Sequence, residues 1–376
     1  MTAPSNTVDP NGLLEYSVVF TDRSLNHMSK SFQSVMNDIS STLKQVYNAD
    51  AVAVVPGGGT FGMEAVARQF ANNNRCLVIR NGWFSYRWTQ IFEMADLPSS
   101  CTVMKARQTH DDSQAPFAPA AIDEVVATIK SEKPAVVFAP HVETSAGIIL
   151  PTDYLKQVAD AVHSVGGLFV LDCIASGAVW VDMKKVGVDV LISAPQKGWS
   201  GSPCCGLVMM SDKAVERMQA TQSNSFACDL KKWSEIMSAY ENGGHAYHAT
   251  MPTDSLVRFN QAMQETKEHG FDKVHNAQVE LGKKIRAVLG DKGFKSVAAE
   301  GFEAPGVVVM YTKDPGVQNG SKFSTEGMQI AAGVPLQCDE PADFQTFRLG
   351  LFGLDKLYDV DTAVAKFEDT LEKVLE

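Results

Sequence analysis

Apolar residues follow two alternating rhythms along the chain. Short apolar runs occupy 51–55, 76–79, 135–138, 168–171, 188–192, which Asp189 interrupts, and 206–210. Between several of them, apolar positions recur at three- and four-residue spacing: Met63, Val66, Ala67 and Phe70 form one stripe, and Leu155, Val158, Ala159 and Val162 another. A short, wholly apolar run is the mark of a strand buried on both faces, and the wider spacing marks the inward stripe of a helix. Strands separated by helices predict an α/β fold with a mostly parallel sheet covered on both sides. The last run follows its predecessor across a short loop, which predicts an antiparallel insertion. After Pro252 the rhythm changes. A long helical stretch covers about 256–289, short strands lie near 306–311 and 347–351, and a final helix covers 360–375. The expected organisation is an N-terminal segment, 1–27, a large domain, 28–255, and a smaller α+β domain, 256–376.

Ligands of open α/β sheets sit beyond the carboxyl ends of the strands, so the residues just after each run carry the chemistry. The first run ends in Pro56-Gly57-Gly58-Gly59-Thr60. Glycines admit an anion to backbone N–H groups, a helix N-terminus adds partial positive charge, and Thr60 offers a cap or a hydroxyl. A plain tight turn is the competing reading. The second run leads into "NGWFSYRW", whose aromatic rings either cover a flat ligand or fill the core. The third leads into "HVETSAG", either polar contacts in a cleft or a capped turn. The fourth ends at Asp172, a carboxylate costly to bury unless a metal, an arginine or a protonated ring nitrogen meets it. Beyond the fifth lies Lys197, either a surface lysine or an amine whose pKa its site lowers for Schiff-base chemistry. Taken in order, these strand ends ask for a ligand that is anionic at one end, flat, basic at a ring nitrogen and equipped with an aldehyde. Pyridoxal 5'-phosphate meets all four demands.

Several segments are similar to those of the class V, fold-type I aminotransferases, in the alanine:glyoxylate and serine:pyruvate aminotransferase group. "GGGTFGME" resembles the family's phosphate turn and helix start, "NGWFSYRW" its "NGxFGxRW", "HVETSAG" its "HxETSTG", and "LDCIAS" its "VDxVSS". "SAPQKGWSGSPCCG" resembles "SGSQKxLxxPPG", "YHATMP" resembles "YHxTxP", and "FRLGLFG" resembles "FRIGxxG". The resemblance runs from about Asn26 to the C-terminus. It implies the pyridoxal-phosphate-dependent transferase fold of type I: a large domain with a mostly parallel seven-stranded sheet, and a smaller α+β C-terminal domain.

The same resemblance implies roles. Lys197 forms the Schiff base and shuttles protons, and Asp172 keeps the ring nitrogen protonated. Phe84, rather than Trp83, stacks on the ring, and Ile174 packs on its other face. Gly58, Gly59 and Thr60 contact the phosphate, Thr144 the ring hydroxyl, and Gln196 the phosphate or the ring side. Tyr247 and Thr250 reach the site of the neighbouring subunit, which makes the enzyme a homodimer with shared sites. Arg348 grips the substrate α-carboxylate with its two-pronged guanidinium. There are departures. The family's "GPGP"-type opening over the substrate is replaced by "DPNGLLEYSVVFTDRSLNH", which contains Arg23, the phosphate turn has glycines where Ser and His are common, and "VPLQCDEPADFQT" precedes Arg348.

Charge narrows the partners. The formal net charge is -11, which disfavours nucleic acid and anionic membranes. Hydrophobic residues at 45% and charged residues at 20% are those of a soluble globular protein. No apolar run reaches membrane-spanning length, and "MTAPSNTVDP" lacks the regions of a signal peptide. Seven cysteines without framework spacing point to a reducing, cytoplasmic setting. The expected activity is transfer of an amino group from a small amino acid, such as alanine or serine, to a 2-oxo acid such as glyoxylate or pyruvate. The alternative is a cysteine desulfurase-like or other lyase using Cys338 on a mobile loop. Against it stand Gln196 and Phe84, where desulfurases carry His. A non-catalytic relative is a third reading, at odds with the presence of Asp172, Lys197 and Arg348 together.

Overall fold

The computed structural model describes residues 8–376. Seven strands form the main sheet: β1 (Ala51–Pro56), β2 (Arg75–Arg80), β3 (Ser100–Lys105), β4 (Val136–Pro140), β5 (Leu168–Asp172), β6 (Val190–Ser193) and β7 (Cys205–Met210). Their order is β1-β7-β6-β5-β4-β2-β3. Strand β7 pairs antiparallel with both β1 and β6, and the other pairings are parallel. The antiparallel insertion expected from the short loop is therefore present. It lies between β1 and β6, and all six remaining strands point one way.

The apolar runs became strands because every residue in them is needed on one face or the other. Strands β4, β5, β6 and β7 are buried along their whole length. The stripes predicted for the crossovers are buried as well: Met63, Val66, Ala67 and Phe70 in α2 (Gly59–Phe70), after α1 (Lys30–Tyr47), and Leu155, Val158, Ala159 and Val162 in α5 (Thr152–Ser164), after α3 (Trp83–Ala95) and α4 (Ile122–Glu132). Strand β3 escapes the sequence pattern. It is one of the two sheet edges, none of its residues is fully buried, and its first two are exposed. An edge strand that lies partly in solvent needs no continuous apolar run, whereas β1, the other edge, is buried from Val52 to Val55 and keeps one.

The predicted helical stretch 256–289 is two helices, α7 (Thr253–His269) and α8 (Phe271–Asp291), following α6 (Leu230–Glu241). The break is Gly270, at φ +104°, a conformation side-chain-bearing residues rarely adopt. Beyond it a three-stranded antiparallel sheet forms from β8 (Val307–Tyr311), β9 (Ala331–Ala332) and β10 (Thr346–Gly350), in the order β8-β10-β9. The last helix, α9 (Val360–Leu375), has the predicted bounds. Apolar side chains of α8, α9 and this sheet, among them Leu281, Ile285, Phe347 and Leu371, make a core separate from that around the main sheet.

Helix α2 is seated on β7 through two glycines. A Cβ on Gly206 would lie 2.7 Å from the Gly62 nitrogen and 2.9 Å from the Gly58 oxygen, both backbone atoms that cannot yield. Gly206→Ala is expected to lower the unfolding free energy by about 1–3 kcal/mol, the usual cost of overpacking. Chemical denaturation of the purified variant measures this. An unchanged midpoint would mean that the helix is not held at this contact.

Candidate active site

Parallel strands place their carboxyl ends on one edge, and register sets them level. Asp172, the last residue of β5, pairs with Pro140 of β4 on one side and Ile192 of β6 on the other. A cleft of about 190 Å³ opens there. It is lined by Gly59 and Thr60 after β1, Phe84 after β2, Thr144 after β4, Asp172 and Ile174 at the end of β5, and Gln196 and Lys197 after β6. Eight predicted site residues thus converge from five strand ends. Met63, Arg87, Val142 and Ala175 complete the lining.

At one end the backbone is arranged for an anion. Gly57 has φ +120°, and a Cβ there would strike the Phe61 ring at 2.5 Å, so the turn requires glycine. Helix α2 begins at Gly59 with Gly58 as its N-cap, which supplies no side-chain cap. The N–H groups of Gly58, Gly59 and Thr60 donate to no backbone acceptor. A Cβ on Gly59 would fall 2.6 Å from Ile174 Cδ1. Thr60 does not cap the helix, one of the roles its sequence position suggested. Its hydroxyl instead accepts a hydrogen bond from Arg87 Nη1 at 2.8 Å.

The aromatic segment divides between its two predicted uses. Trp88 is fully buried against Phe138, with ring centroids 4.6 Å apart. Phe84 faces the cleft, with the Arg87 and Arg348 guanidinium carbons 5.2 and 5.6 Å from its ring centroid. Arg348 comes from the central strand of the small sheet and donates through Nε to the Ala332 oxygen at 2.8 Å. The "HVETSAG" segment divides likewise. Glu143 is fully buried and accepts from the Phe84 and Ser85 N–H groups at 3.1 and 2.9 Å, while the Ser145 hydroxyl accepts from Trp83 N–H at 2.9 Å. Both cap helix α3 and so aim Phe84. Thr144, between them, lines the cleft.

Two charged groups of the cleft, Asp172 and Lys197, lack ordinary partners. Burial pushes the Asp172 carboxyl up to about 7; the Ile174 N–H bond at 2.9 Å opposes this, Glu143 adds to the rise, and Arg87 offsets part of it. Lys197 makes no ion pair among the described residues; its ammonium lies 5.2 Å from the Phe352 ring centroid. Burial lowers its pKa first, and the Arg348 charge lowers it further. The Gln196 Oε1 atom is buried without a donor.

Three predicted features lie elsewhere. Tyr247 and Thr250 hydrogen-bond each other at 3.1 Å, and Tyr247 is 53% exposed, away from this chain's cleft. Residues 8–27 of the N-terminal segment do not line the cleft either, and residues 1–7 lie outside the described residues. Phe20 and His27 pack together, His27 meets Tyr247, and Leu25 N–H donates to Asp254; Arg23 is exposed. Cys338, the residue on which a lyase reading rests, is a correction. It is 4% exposed, its thiol points to the Arg80 and Leu336 oxygens, and burial, with Glu143 and Glu340 adding, pushes it up to about 12. Burial of this kind disfavours the reactive thiolate, and Cys338 does not line the cleft.

The family model for "Aminotransferase class-V" matches residues 12–306, most of the chain. This chain belongs to the class-V aminotransferases. It is 27% identical over 334 residues to the 2-aminoethylphosphonate–pyruvate transaminase of Syntrophobacter fumaroxidans, covering 86% of this chain and 84% of that one. It is 25% identical over 279 residues to the alanine–glyoxylate aminotransferase of Rattus norvegicus, covering 73% and 64%. Among solved structures, the alanine–glyoxylate aminotransferase of Nostoc sp. superposes with a TM-score of 0.79 at 20% identity over 94% of this chain and 89% of that one. An aspartate aminotransferase of Thermus thermophilus gives 0.76 at 23%, over 93% of each. These neighbours show the fold: the type I fold of pyridoxal-phosphate enzymes. This class-V aminotransferase is a pyridoxal-phosphate-dependent transaminase. The cleft suits that cofactor on three counts: free N–H donors at a helix start, a flat ring at its wall, and a desolvated carboxyl in want of a cation.

The carboxyl gives a pH test. Its folded value, about 7, lies above the ordinary 3.9. The cofactor-free protein therefore holds the extra proton between about pH 4 and 7, and Asp172 costs stability progressively as pH rises through that window. Asp172→Asn should raise the melting temperature of the cofactor-free protein at pH 8, with the gain shrinking toward pH 5. A gain that does not change with pH would contradict the burial of an unpaired carboxyl.

Proposed function

We propose that this aminotransferase moves an amino group from a small amine donor to a 2-oxo acid such as pyruvate or glyoxylate, with Lys197 as the amine that bonds the cofactor aldehyde and carries the proton at the substrate's reacting carbon. The observation that supports it best is the state of Lys197. It is an amine free of carboxylate partners, with a depressed pKa, in the same cleft as Asp172. An amine must lose its proton to attack a carbonyl, and desolvation favours that loss. Bound pyridoxal 5'-phosphate supplies an electron sink for the pair left when the proton departs.

The chain's own residues divide the remaining work. Asp172 holds the proton on the cofactor's ring nitrogen. Phe84 and Ile174 confine the ring from its two faces. Gly58, Gly59 and Thr60 bind the phosphate, and Thr144 and Gln196 bind polar edges. Arg348 takes the substrate acid group. Its Nε is already held by the Ala332 oxygen, which leaves its outer nitrogens for a planar or tetrahedral oxyanion. The names of the relatives support pyruvate or glyoxylate as acceptor. They leave alanine, serine and 2-aminoethylphosphonate as donors to compare, since Arg348 suits a carboxylate or a phosphonate equally. The lyase reading loses its nucleophile with Cys338 buried. The seven unpatterned cysteines fit a cytoplasmic enzyme.

Initial rates with these three donors against pyruvate and glyoxylate, for wild type and Lys197→Ala, test the proposal. Wild type should turn over at least one pair, and Lys197→Ala should lose turnover while keeping its fold by circular dichroism. Near-wild-type rates in the variant would remove Lys197 from the reaction.

A second copy completes the site in this reading. Tyr247 and Thr250 share a surface with the N-terminal segment, whose Leu13, Leu14, Tyr16 and Val18 are almost wholly exposed. Apolar side chains left in water favour a protein partner. That surface is the one a second copy would cover, delivering Tyr247 and Thr250 to the neighbouring phosphate. Mixing Lys197→Ala with a Tyr247→Ala/Thr250→Ala variant should restore activity after subunit exchange, because one site of each mixed pair is intact. No recovery in confirmed mixed dimers would count against shared sites.

A further inference from the structure

The phosphate turn contains three successive glycines and Thr60, and so offers backbone N–H groups and one hydroxyl but no charge. A phosphate is a dianion near neutral pH. A helix N-terminus contributes only about half an elementary charge. A full cation lies one hydrogen bond away. Arg87 Nη1 donates to Thr60 Oγ1 at 2.8 Å, and Arg87 lines the same cleft. Among the described residues it makes no ion pair with a carboxylate. An arginine spared such a partner is available to an anion from outside the chain.

Its position comes from α3. Residues three apart on a helix share a face, so Arg87 stands beside Phe84, its guanidinium carbon 5.2 Å from that ring's centroid. Arg348 lies 5.6 Å from the same centroid but is carried by the small sheet. Two guanidinium groups therefore border one ring, and their other partners tell them apart. Arg87 is bonded to the first turn of α2, where the free N–H groups are, and Arg348 to the Ala332 oxygen.

We propose that Arg87 is the charge partner of the cofactor phosphate, joined to the turn through the Thr60 hydroxyl. This rests on the reading of the cleft as the cofactor site. A guanidinium presents several donors in a fixed fork, so Arg87 has nitrogens left for phosphate oxygens while Nη1 stays on Thr60. The competing assignment is a second anionic group on the substrate.

The test compares binding of pyridoxal 5'-phosphate and of pyridoxal, which lacks the phosphate, to the cofactor-free protein by fluorescence titration. Arg87→Ala should raise the Kd for pyridoxal 5'-phosphate by about 10- to 100-fold, as loss of charge-assisted bonds does, and change that for pyridoxal less than about twofold. Arg87→Lys should recover part of the loss, because it keeps the charge without the fork. Equal weakening of both ligands would mean that Arg87 only steadies Phe84, and would overturn the proposal. An unchanged Kd for pyridoxal 5'-phosphate, with a raised KM for doubly anionic donors, would overturn it in favour of the substrate. Borohydride reduction of the wild-type complex followed by peptide mapping checks the underlying reading separately. Label at Lys197 upholds the cleft whatever Arg87 does, and label at another lysine removes both.

Discussion

A carboxyl group at the end of the central strand, buried and short of a cation, is the constraint around which the cleft is arranged. Asp172 cannot move away, because its backbone belongs to β5 and its register is shared with β4 and β6. It is largely withdrawn from water, and the Ile174 N–H is its only side-chain hydrogen bond among the described residues. Burying such a group is unfavourable unless something positive arrives. The fold accepts that cost in the empty state, and in the proposed role a protonated ring nitrogen would offset it. The neighbouring groups follow the same economy of missing partners. Among the described residues Lys197 has no carboxylate, the Gly58–Thr60 turn has no backbone acceptor, and Gln196 has an idle oxygen. A protein interior satisfies its polar groups almost everywhere. A cluster that does not do so is shaped for a guest.

Polar groups around the cleft that are satisfied serve to aim those that are not. Glu143 spends its oxygens on the start of α3. That fixes the helix carrying both Phe84 and Arg87, so one buried side chain orients the ring wall and the guanidinium together. The small sheet does the equivalent for Arg348. Strand β10 is central, with Arg348 opposite Val309 on one side and Ala331 on the other. Phe84, Arg87 and Arg348 thus stand on elements whose placement is fixed by hydrogen bonds of their own.

Much of this was legible in the sequence, for a physical reason. Strands buried on both faces must be apolar throughout, so β1, β2, β4, β5, β6 and β7 stand out as runs, and a parallel sheet makes the residue after each run a cleft residue. Gly59, Thr60, Phe84, Thr144, Asp172, Ile174, Gln196 and Lys197 were found that way or through the family resemblance they support. Strand β3 was not, because an edge strand half in solvent carries no continuous signal. The break at Gly270 was hidden by helical spacing that continues on both sides of one residue. Arg87 was missed because an arginine in a helix is usually a surface residue; the signal available was its three-residue offset from Phe84. Cys338 misled because a loop cysteine before an arginine looks reactive, whereas its reactivity depends on burial, which spacing does not record.

The antiparallel strand has a consequence for how the molecule is made. In the main sheet β1 has β7 as its only neighbour. Strand β1 leaves the ribosome early, but its pairing partner belongs to the other end of the large sheet's sequence. The glycine turn and α2, which rests against β7 through Gly62 and Gly206, are synthesised among the first elements and docked among the last. Long-range pairings of this kind are slow to close, and a chain waiting for one keeps apolar surface exposed. Growth of the nascent chain thus leaves the glycine corner unfinished until Met210 has emerged. The turn that opens α2 is then among the last corners of the sheet to close, sealed from the far side of the sequence.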